Sequence, residues 1–268
     1  MTAKILSAFS RPDRTRPGRR FQRSIDLLPS MFTVGNIFCG WACVVYAMRG
    51  DYVTAAPFVA FAMVLDTLDG RVARFAGVTS EFGIEFDSLA DVISFGVAPA
   101  ILVFSWGLEP LGRVGWVVGF LYVTATAMRL AKFNIHQAEG GDKRYFIGLP
   151  SPPAAGVVAS TVFAYPSGLE GIREAIVALA VVVVPASLMV SRLRFRNFNA
   201  LFPGGRHSYL TLIVIAGMIA AIAIHPQLVL ITMAYAYLAS GPLGLILSQA
   251  RRGRKGVQSN KFDRLGPS

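Results

Sequence analysis

The sequence predicts an all-α, polytopic integral membrane protein with about eight transmembrane helices. Of its 268 residues, 54% are hydrophobic and only 15% are charged, whereas a soluble domain carries about 25% charged residues. Its mean hydropathy is +0.53, and long stretches contain no charge at all. The few charges are mostly basic and give a net charge of +11. This composition argues against a soluble enzyme and against a disordered chain.

The uncharged stretches give the positions of the helices. A helix needs about 20 residues to cross the hydrocarbon core of a bilayer, so residues 207–250, which contain no Asp, Glu, Lys or Arg, hold two spans. His225-Pro226 is a natural break between these two. The fifth span is short and begins among three prolines. The predicted spans are about 30–48, 53–75, 87–107, 112–133, 149–165, 171–190, 208–224 and 227–248.

The distribution of basic residues gives the orientation. With eight spans, 23 of the 26 Lys and Arg residues lie on the face that carries both termini. The other face carries Arg49, Arg113 and Arg173. Because cytoplasmic loops collect positive charge, we expect both termini to be cytoplasmic and the protein to lie in the inner cell membrane. The basic residues flank apolar helices and form no stripe with interleaved aromatics, which argues against nucleic acid as a partner.

The chain divides into a transmembrane domain and two basic cytoplasmic tails. We expect the tails at residues 1–29 and 251–268 and the transmembrane domain at residues 30–250. Apolar residues between Gly18 and Leu28 recur at helical spacing beside arginines. This pattern fits an interfacial helix that ends where Pro29 turns the chain into the bilayer, and a disordered basic tail is the alternative. The C-terminal tail is predicted to be disordered.

Four acidic residues lie where a membrane protein should least tolerate them. Asp66 and Asp69 are near the predicted cytoplasmic end of the second span, and Asp87 and Asp91 begin the third span. Residues three or four apart share one face of a helix. If the two helices run antiparallel, all four carboxylates converge just inside the cytoplasmic boundary of the membrane.

Such a cluster needs protons or cations, because nearby carboxylates repel one another strongly at low dielectric. Hard divalent ions such as Mg²⁺ and Mn²⁺ prefer oxygen ligands, and no Cys or His cluster accompanies the aspartates. The spacing therefore favours a divalent metal site. A proton or cation relay in a transporter, or pairing of the carboxylates with Arg71 and Arg74, remains an alternative.

The four aspartates are part of a longer motif with further fixed positions. Residues 66–91 read DTLDGRVARFAGVTSEFGIEFDSLAD, which is D-x2-D-G-x2-A-R-x8-G-x3-D-x3-D. This pattern resembles the signature of the CDP-alcohol phosphatidyltransferase family at every fixed position. In that family the four aspartates bind two divalent metals, and the pyrophosphate of a CDP-linked lipid bridges the metals. The resemblance therefore implies that family's fold and two Mg²⁺ or Mn²⁺ ions per active site.

The resemblance also implies a role for each motif residue. Asp66, Asp69 and Asp87 would be metal ligands, and Asp91 would be a metal ligand and the general base for an acceptor alcohol. The remaining small or basic motif residues would border the CDP-lipid; they are Gly70, Ala73, Arg74 and Gly83. Small residues let a nucleotide approach the helix backbone closely, and the arginine can reach a phosphate. Close helix packing is the alternative reason for the small residues.

Three further segments resemble the bacterial and archaeal phosphatidylserine synthases, a branch of that family. They are TVGNIFCG at 33–40, SFGVAPA at 94–100, and RLAKFN at 129–134 followed by RYFIGLPSPPAAG at 144–156. In the first segment, Thr33 and Asn36 share a helix face and by resemblance border the nucleotide. The branch implies CDP-diacylglycerol as donor and L-serine as acceptor.

A serine acceptor predicts a cation in its pocket, because serine carries a carboxylate. Arg129, Lys132, Lys143 and Arg144 all follow the fourth span on the predicted cytoplasmic face. Arg129 is the first candidate, since it lies within the helix end, where desolvation strengthens ion pairing. The alternative is that these residues are ordinary basic flanks of the helices.

The expected partners are CDP-diacylglycerol, L-serine, membrane lipids and a second copy of the chain in a homodimer. Rival acceptors are glycerol 3-phosphate, an inositol phosphate and choline. A cation or proton transporter is the rival from another class, but its acidic residues should lie at mid-membrane on several helices. A non-catalytic scaffold leaves the paired aspartates unexplained.

Overall fold

The computed structural model describes residues 19–76, 81–138, 145–169, 171–191, 193–196 and 209–263. Nearly all of them are helical. The helices are α1 (Arg19–Met48), α2 (Tyr52–Ala76), α3 (Glu81–Asp91), α4 (Ala98–Val103), α5 (Arg113–Ala138), α6 (Ser151–Ala164), α7 (Ile172–Val190), α8 (Tyr209–Ile224) and α9 (Pro226–Asp263). Wider π-helical turns join α3 to α4 and follow α4, at Val92–Val97 and Phe104–Leu108.

The predicted all-α membrane architecture is confirmed. Within the described ranges, a helix lies at each of the eight predicted spans, and α3 and α4 belong to one span, Glu81–Leu111. Among the residues that the structure describes, five segments are long and apolar enough to cross a membrane: Met31–Met48, Tyr52–Val72, Glu81–Leu111, Arg113–Ile135 and Ile172–Val190. The fifth and seventh spans correspond to shorter helices, α6 with 14 residues and α8 with 16.

Prolines mark two of the helix starts. Pro150 precedes α6, and Pro152 and Pro153 lie in its first turn, where a missing backbone N–H removes no helical hydrogen bond. His225 separates α8 from α9, which begins at Pro226, so the predicted break is confirmed.

Both ends of the described chain are more helical than the sequence suggested. The first helix runs without a break from Arg19 through Pro29 to Met48, so the structure shows no turn at Pro29. That its first residues lie on the membrane surface stays a prediction. At the other end, α9 continues to Asp263, although we expected disorder from residue 251. Residues 1–18 and 264–268 lie outside the described part of the chain.

A small two-stranded sheet joins two loops and was not predicted. Strand β1 (Tyr145–Ile147) follows α5, and strand β2 (Arg194–Arg196) follows α7; they pair antiparallel, with Phe146 opposite Phe195. Pairing requires both loops to lie on the same side of the membrane. The eight-span topology predicts that arrangement.

Gly148 connects this sheet to the start of α6. Its φ angle is +83°, and a Cβ there would lie 2.4 Å from the Met189 carbonyl oxygen. The Gly148 amide donates to the Leu193 carbonyl oxygen at 2.8 Å, and the Leu149 amide donates to that of Leu188 at 3.0 Å. Only glycine tolerates this crowded, left-handed position well. The connection therefore fixes the beginning of α6 against the end of α7.

The core is built largely from small and β-branched residues, while large apolar side chains face outward. Ala55, Ala62, Ala154 and Ala155 are buried, whereas Trp116 is 74% exposed. Small residues let membrane helices approach one another closely. Large exposed apolar areas are rare on soluble monomers and fit a surface covered by lipid.

Candidate active site

Three of the four predicted carboxylates form one cluster. Asp66 comes from α2, and Asp87 and Asp91 lie one turn apart on α3. One carboxylate oxygen from each lies within 4.8 Å of the other two. Asp91 is buried, and the other two are half-buried. The two predicted helix faces therefore meet, as the spacing of the aspartates indicated.

Asp69 lies beside this cluster and contacts a different helix. It is buried, and its Oδ2 accepts a hydrogen bond from the Thr33 hydroxyl of α1. The three-carboxylate group does not include it. The hydroxyl of Thr33 thus contacts a motif carboxylate, and its predicted place at the border of the nucleotide stays a prediction.

Asn36 makes the corresponding contact with Asp91. Its side-chain amide nitrogen donates to Asp91 Oδ1 at 3.3 Å, and Ser94 Oγ donates to the Asn36 carbonyl oxygen at 2.8 Å. Thr33 and Asn36 are three residues apart on α1, so one face of this helix contacts both α2 and α3. The shared face was predicted from the sequence, but its aspartate partners were not.

Two buried oxygens in the site have no hydrogen-bond partner among the described residues. They are Asp87 Oδ1 and Asn36 Oδ1. Leaving a buried carboxylate oxygen unpaired is costly. Clustered carboxylate oxygens, one of them unpaired, are the donor set that Mg²⁺ or Mn²⁺ prefers. The described residues therefore fit a hard divalent cation.

Arg129 supplies positive charge beside the carboxylates. Its Nη1 donates to Ser151 Oγ at 2.8 Å, and its guanidinium carbon lies 5.2 Å from the centre of the Phe133 ring. The guanidinium also attracts Asp91 and Asp66 electrostatically. The first candidate for an acceptor cation thus adjoins the cluster, held by neighbours that sequence reasoning did not identify.

The structure describes only some of the other predicted site residues, and their roles stay predictions. Gly70 is exposed and Gly83 is half-buried, while Lys132 is exposed on α5. The side chains of Ala73 and Arg74, and residues Lys143 and Arg144, lie outside the described part of the structure.

One contact near the cluster was missed entirely. The side-chain amide of Asn134 donates to Ser88 Oγ at 2.9 Å. It joins the end of α5 to α3 at the residue that follows Asp87. Asn134 belongs to the RLAKFN segment, but a single sequence gives no signal for its partner.

The sequence of this chain is similar to those of known proteins. The family model for CDP-alcohol phosphatidyltransferases matches residues 26–192. The CDP-diacylglycerol–serine O-phosphatidyltransferase of Helicobacter pylori is 43% identical over 175 residues, which cover 65% of this chain and 73% of the relative. The enzyme of the same name from Mycobacterium leprae is 31% identical over 236 residues, covering 86% and 78%.

An archaeal relative extends the comparison. The archaetidylserine synthase of Methanothermobacter thermautotrophicus is 33% identical over 180 residues, which cover 66% of this chain and 73% of the relative. The family match includes both aspartate pairs, the α1 face that contacts them and Arg129. The chain belongs to the CDP-alcohol phosphatidyltransferase family.

Proposed function

We propose that this protein transfers the phosphatidyl group of CDP-diacylglycerol to the hydroxyl of L-serine, giving phosphatidylserine and CMP. The observation that carries the proposal is the cluster of Asp66, Asp87 and Asp91, formed by the family motif in a membrane protein. The acceptor is supported by the names of the relatives from bacteria, which are serine O-phosphatidyltransferases.

The four aspartates are the proposed ligands of two divalent cations, Mg²⁺ or Mn²⁺. When bound, these ions neutralise the charge of the pyrophosphate and stabilise the departing CMP. Thr33 orients Asp69 through its hydroxyl. The exposed backbone around Gly70 offers room for the CDP-lipid, and Ala73, Arg74 and Gly83 remain proposed contacts of the same substrate.

Asp91 is the proposed general base. The serine oxygen forms a bond to the phosphorus that carries diacylglycerol, the bond from that phosphorus to CMP breaks, and the hydroxyl proton passes to Asp91. A base must lie within hydrogen-bonding reach of the proton that it removes. The amide of Asn36 holds one Asp91 oxygen and so fixes the direction of the carboxylate.

Arg129 is the proposed partner of the serine carboxylate. Its guanidinium is attracted electrostatically by Asp91, and contacts with Ser151 and Phe133 hold it in place. A guanidinium can pair with a carboxylate through two parallel hydrogen bonds. Lys132, Lys143 and Arg144 are the next candidates if Arg129 has another role.

We expect Arg129→Ala to raise the KM for serine by about ten- to a hundredfold, because a charge-assisted pair contributes roughly that factor at a partly desolvated site. The KM for CDP-diacylglycerol should change much less. Arg129→Lys should recover only part of the loss, since an ammonium lacks the planar fork. Steady-state kinetics in detergent–lipid micelles, with each substrate varied in turn, measure both constants.

Arg113→Ala is the matched control, because Arg113 is an exposed arginine at the other end of the same helix. It should leave both constants unchanged. Ethanolamine, which is serine without the carboxylate, should be a poor acceptor for the wild type and should lose little more on the Arg129 change. If Arg129→Ala left the serine KM unchanged, Arg129 would not be the partner of the serine carboxylate, and Lys132, Lys143 and Arg144 would be tested next.

We further propose that the protein lies in the inner membrane with both termini in the cytoplasm. The 23 basic residues on one predicted face support this orientation, and the pairing of β1 with β2 fits it. The active site then faces the cytoplasm, where serine is available. The expected homodimer stays a prediction.

A further inference from the structure

The chain leaves the proposed base, Asp91, in a π-helical turn at Val92–Val97. Three residues of this turn, Ser94, Phe95 and Gly96, are buried. Turns of this kind are rare, and they occur frequently at functional sites. The residues of the turn have no part in the proposed chemistry, so we looked for contacts through which the turn could act on Asp91.

Ser94 connects the turn to α1. It is completely buried, and its hydroxyl donates to the Asn36 carbonyl oxygen at 2.8 Å. The side-chain amide of the same asparagine donates to Asp91 Oδ1 at 3.3 Å. One residue of α1 is therefore held at its backbone by Ser94 and contacts the proposed base through its side chain.

Gly40 provides the space for this contact. In an α-helix the carbonyl of one residue is directed towards the residue four positions later, so the Asn36 carbonyl lies beside Gly40. A Cβ at Gly40 would lie 2.7 Å from Ser94 Oγ and 3.0 Å from Ser94 Cα. Because Cα belongs to the backbone, rotation of the Ser94 side chain would not relieve this crowding. A side chain at Gly40 would push the turn away from α1.

The turn also has a close neighbour on α5. A Cβ at Gly96 would lie 3.3 Å from Thr126 Cγ2. Thr126 is completely buried, and its hydroxyl donates to the Tyr122 carbonyl oxygen at 3.0 Å within α5. The π-helical turn is thus packed closely against both α1 and α5, with a glycine at each contact.

The hydrogen bond between Asn36 and Asp91 depends on this packing. At 3.3 Å it is longer than the usual N–H···O distance of about 2.9–3.0 Å. The other polar atom of the amide, Asn36 Oδ1, has no hydrogen-bond partner among the described residues. A single long hydrogen bond therefore orients the amide, and a small movement of α1 away from the turn would break it.

We infer that Ser94 is a positioning residue, whose hydrogen bond to the Asn36 backbone holds α1 against the π-helical turn and so keeps the Asn36 amide on Asp91. Gly40 permits the close approach. This inference rests on the proposed function, in which Asp91 is the general base. Ser94 acts through Asn36 and is not a proposed contact of either substrate. Its loss should therefore lower kcat and leave both KM values near those of the wild type.

The first test compares Ser94→Ala with Ser160→Ala in the full-length protein. Ser94→Ala should lower kcat roughly two- to tenfold, the effect expected for one lost hydrogen bond. Ser160 is the matched control, since it is also buried but its hydroxyl donates at 3.2 Å to the Val157 carbonyl oxygen of its own helix. Ser160→Ala should leave kcat unchanged. Melting temperatures of both variants, measured in the same detergent, report any loss of packing.

A second pair of variants tests the close approach. Gly40→Ala should lower kcat at least as much as Ser94→Ala, because the added methyl group meets the Ser94 backbone. Gly119→Ala is the control, since a Cβ there would meet no atom within 4 Å. It should retain the wild-type kcat.

A double variant separates positioning from general packing. In Asn36→Ala, the further change Ser94→Ala should have no effect on kcat, because the residue through which Ser94 acts has lost its amide. An unchanged kcat in Ser94→Ala overturns the inference, as does a rise in either KM without a fall in kcat, or an additive effect in the double variant. Failure of the wild type to make phosphatidylserine overturns the proposed function as well, whereas a normal wild type confines the failure to Ser94.

Discussion

Asp91→Asn is expected to abolish turnover while leaving binding of the CDP-lipid largely intact. The amide has nearly the shape of the carboxylate, so the helix and its neighbours should be undisturbed, but it cannot accept the hydroxyl proton. Loss of a general base costs about 10²–10⁴-fold in rate, and loss of a ligand oxygen at the same position adds to that. Single-turnover rates and CDP-lipid binding, measured side by side, give the two quantities.

Glu85→Gln is the control for this experiment. Glu85 is exposed on the same helix, six residues before Asp91, and lies outside the carboxylate cluster. It undergoes the same change from carboxylate to amide and should retain near-wild-type activity. If Asp91→Asn also retained a near-normal rate, another group would have to be the base.

Removing divalent cations is expected to eliminate activity, and adding Mg²⁺ or Mn²⁺ should restore it. The reason is electrostatic: clustered carboxylates and a pyrophosphate repel one another in a partly buried site unless cations lie between them. The buried, unpaired oxygen of Asp87 fits the same requirement. The initial rate after exhaustive chelation, followed by titration with each ion, measures the dependence.

A variant links this dependence to the cluster. Asp66→Asn should raise the metal concentration needed for half-maximal rate and should weaken CDP-lipid binding. Asp51→Asn is the control, since Asp51 is exposed at the other end of α2, where it accepts a hydrogen bond from the Thr54 amide. Full turnover in the chelated protein would rule out the proposed metal site.

The positions of the helices and the convergence of the carboxylates could be predicted because both follow from local rules. The length of an uncharged stretch identifies a membrane span, and residues three or four apart lie on the same face of a helix. The placement of Asp66 near Asp87 and Asp91 needed only two antiparallel helices. The break at His225 likewise follows from the proline after it.

The contacts that orient the site could not be predicted, because they join residues far apart in sequence. Thr33 and Asp69 are 36 residues apart, and Asn36 and Asp91 are 55 apart. Helical spacing shows which residues share a face and does not show what packs against that face. Ser151 illustrates the same limit, since its hydrogen bond with Arg129 depends on how α6 packs against α5.

The short sheet escaped prediction for a related reason. Strands of three residues, such as β1 and β2, are too short to show the alternation of apolar and polar residues that predicts a strand. At the C-terminal end we expected disorder, but α9 extends to Asp263. A basic segment without an apolar stripe can still continue an existing helix.

The identity of the acceptor is the central claim, and a competition assay tests it most directly. The purified protein receives CDP-diacylglycerol, Mn²⁺ or Mg²⁺, and equal concentrations of serine, glycerol 3-phosphate, an inositol phosphate and choline, and the lipid products are separated. We expect phosphatidylserine as the dominant product, with one CMP released for each molecule formed. A dominant product that carries any other head group, with serine left unreacted, would contradict the account.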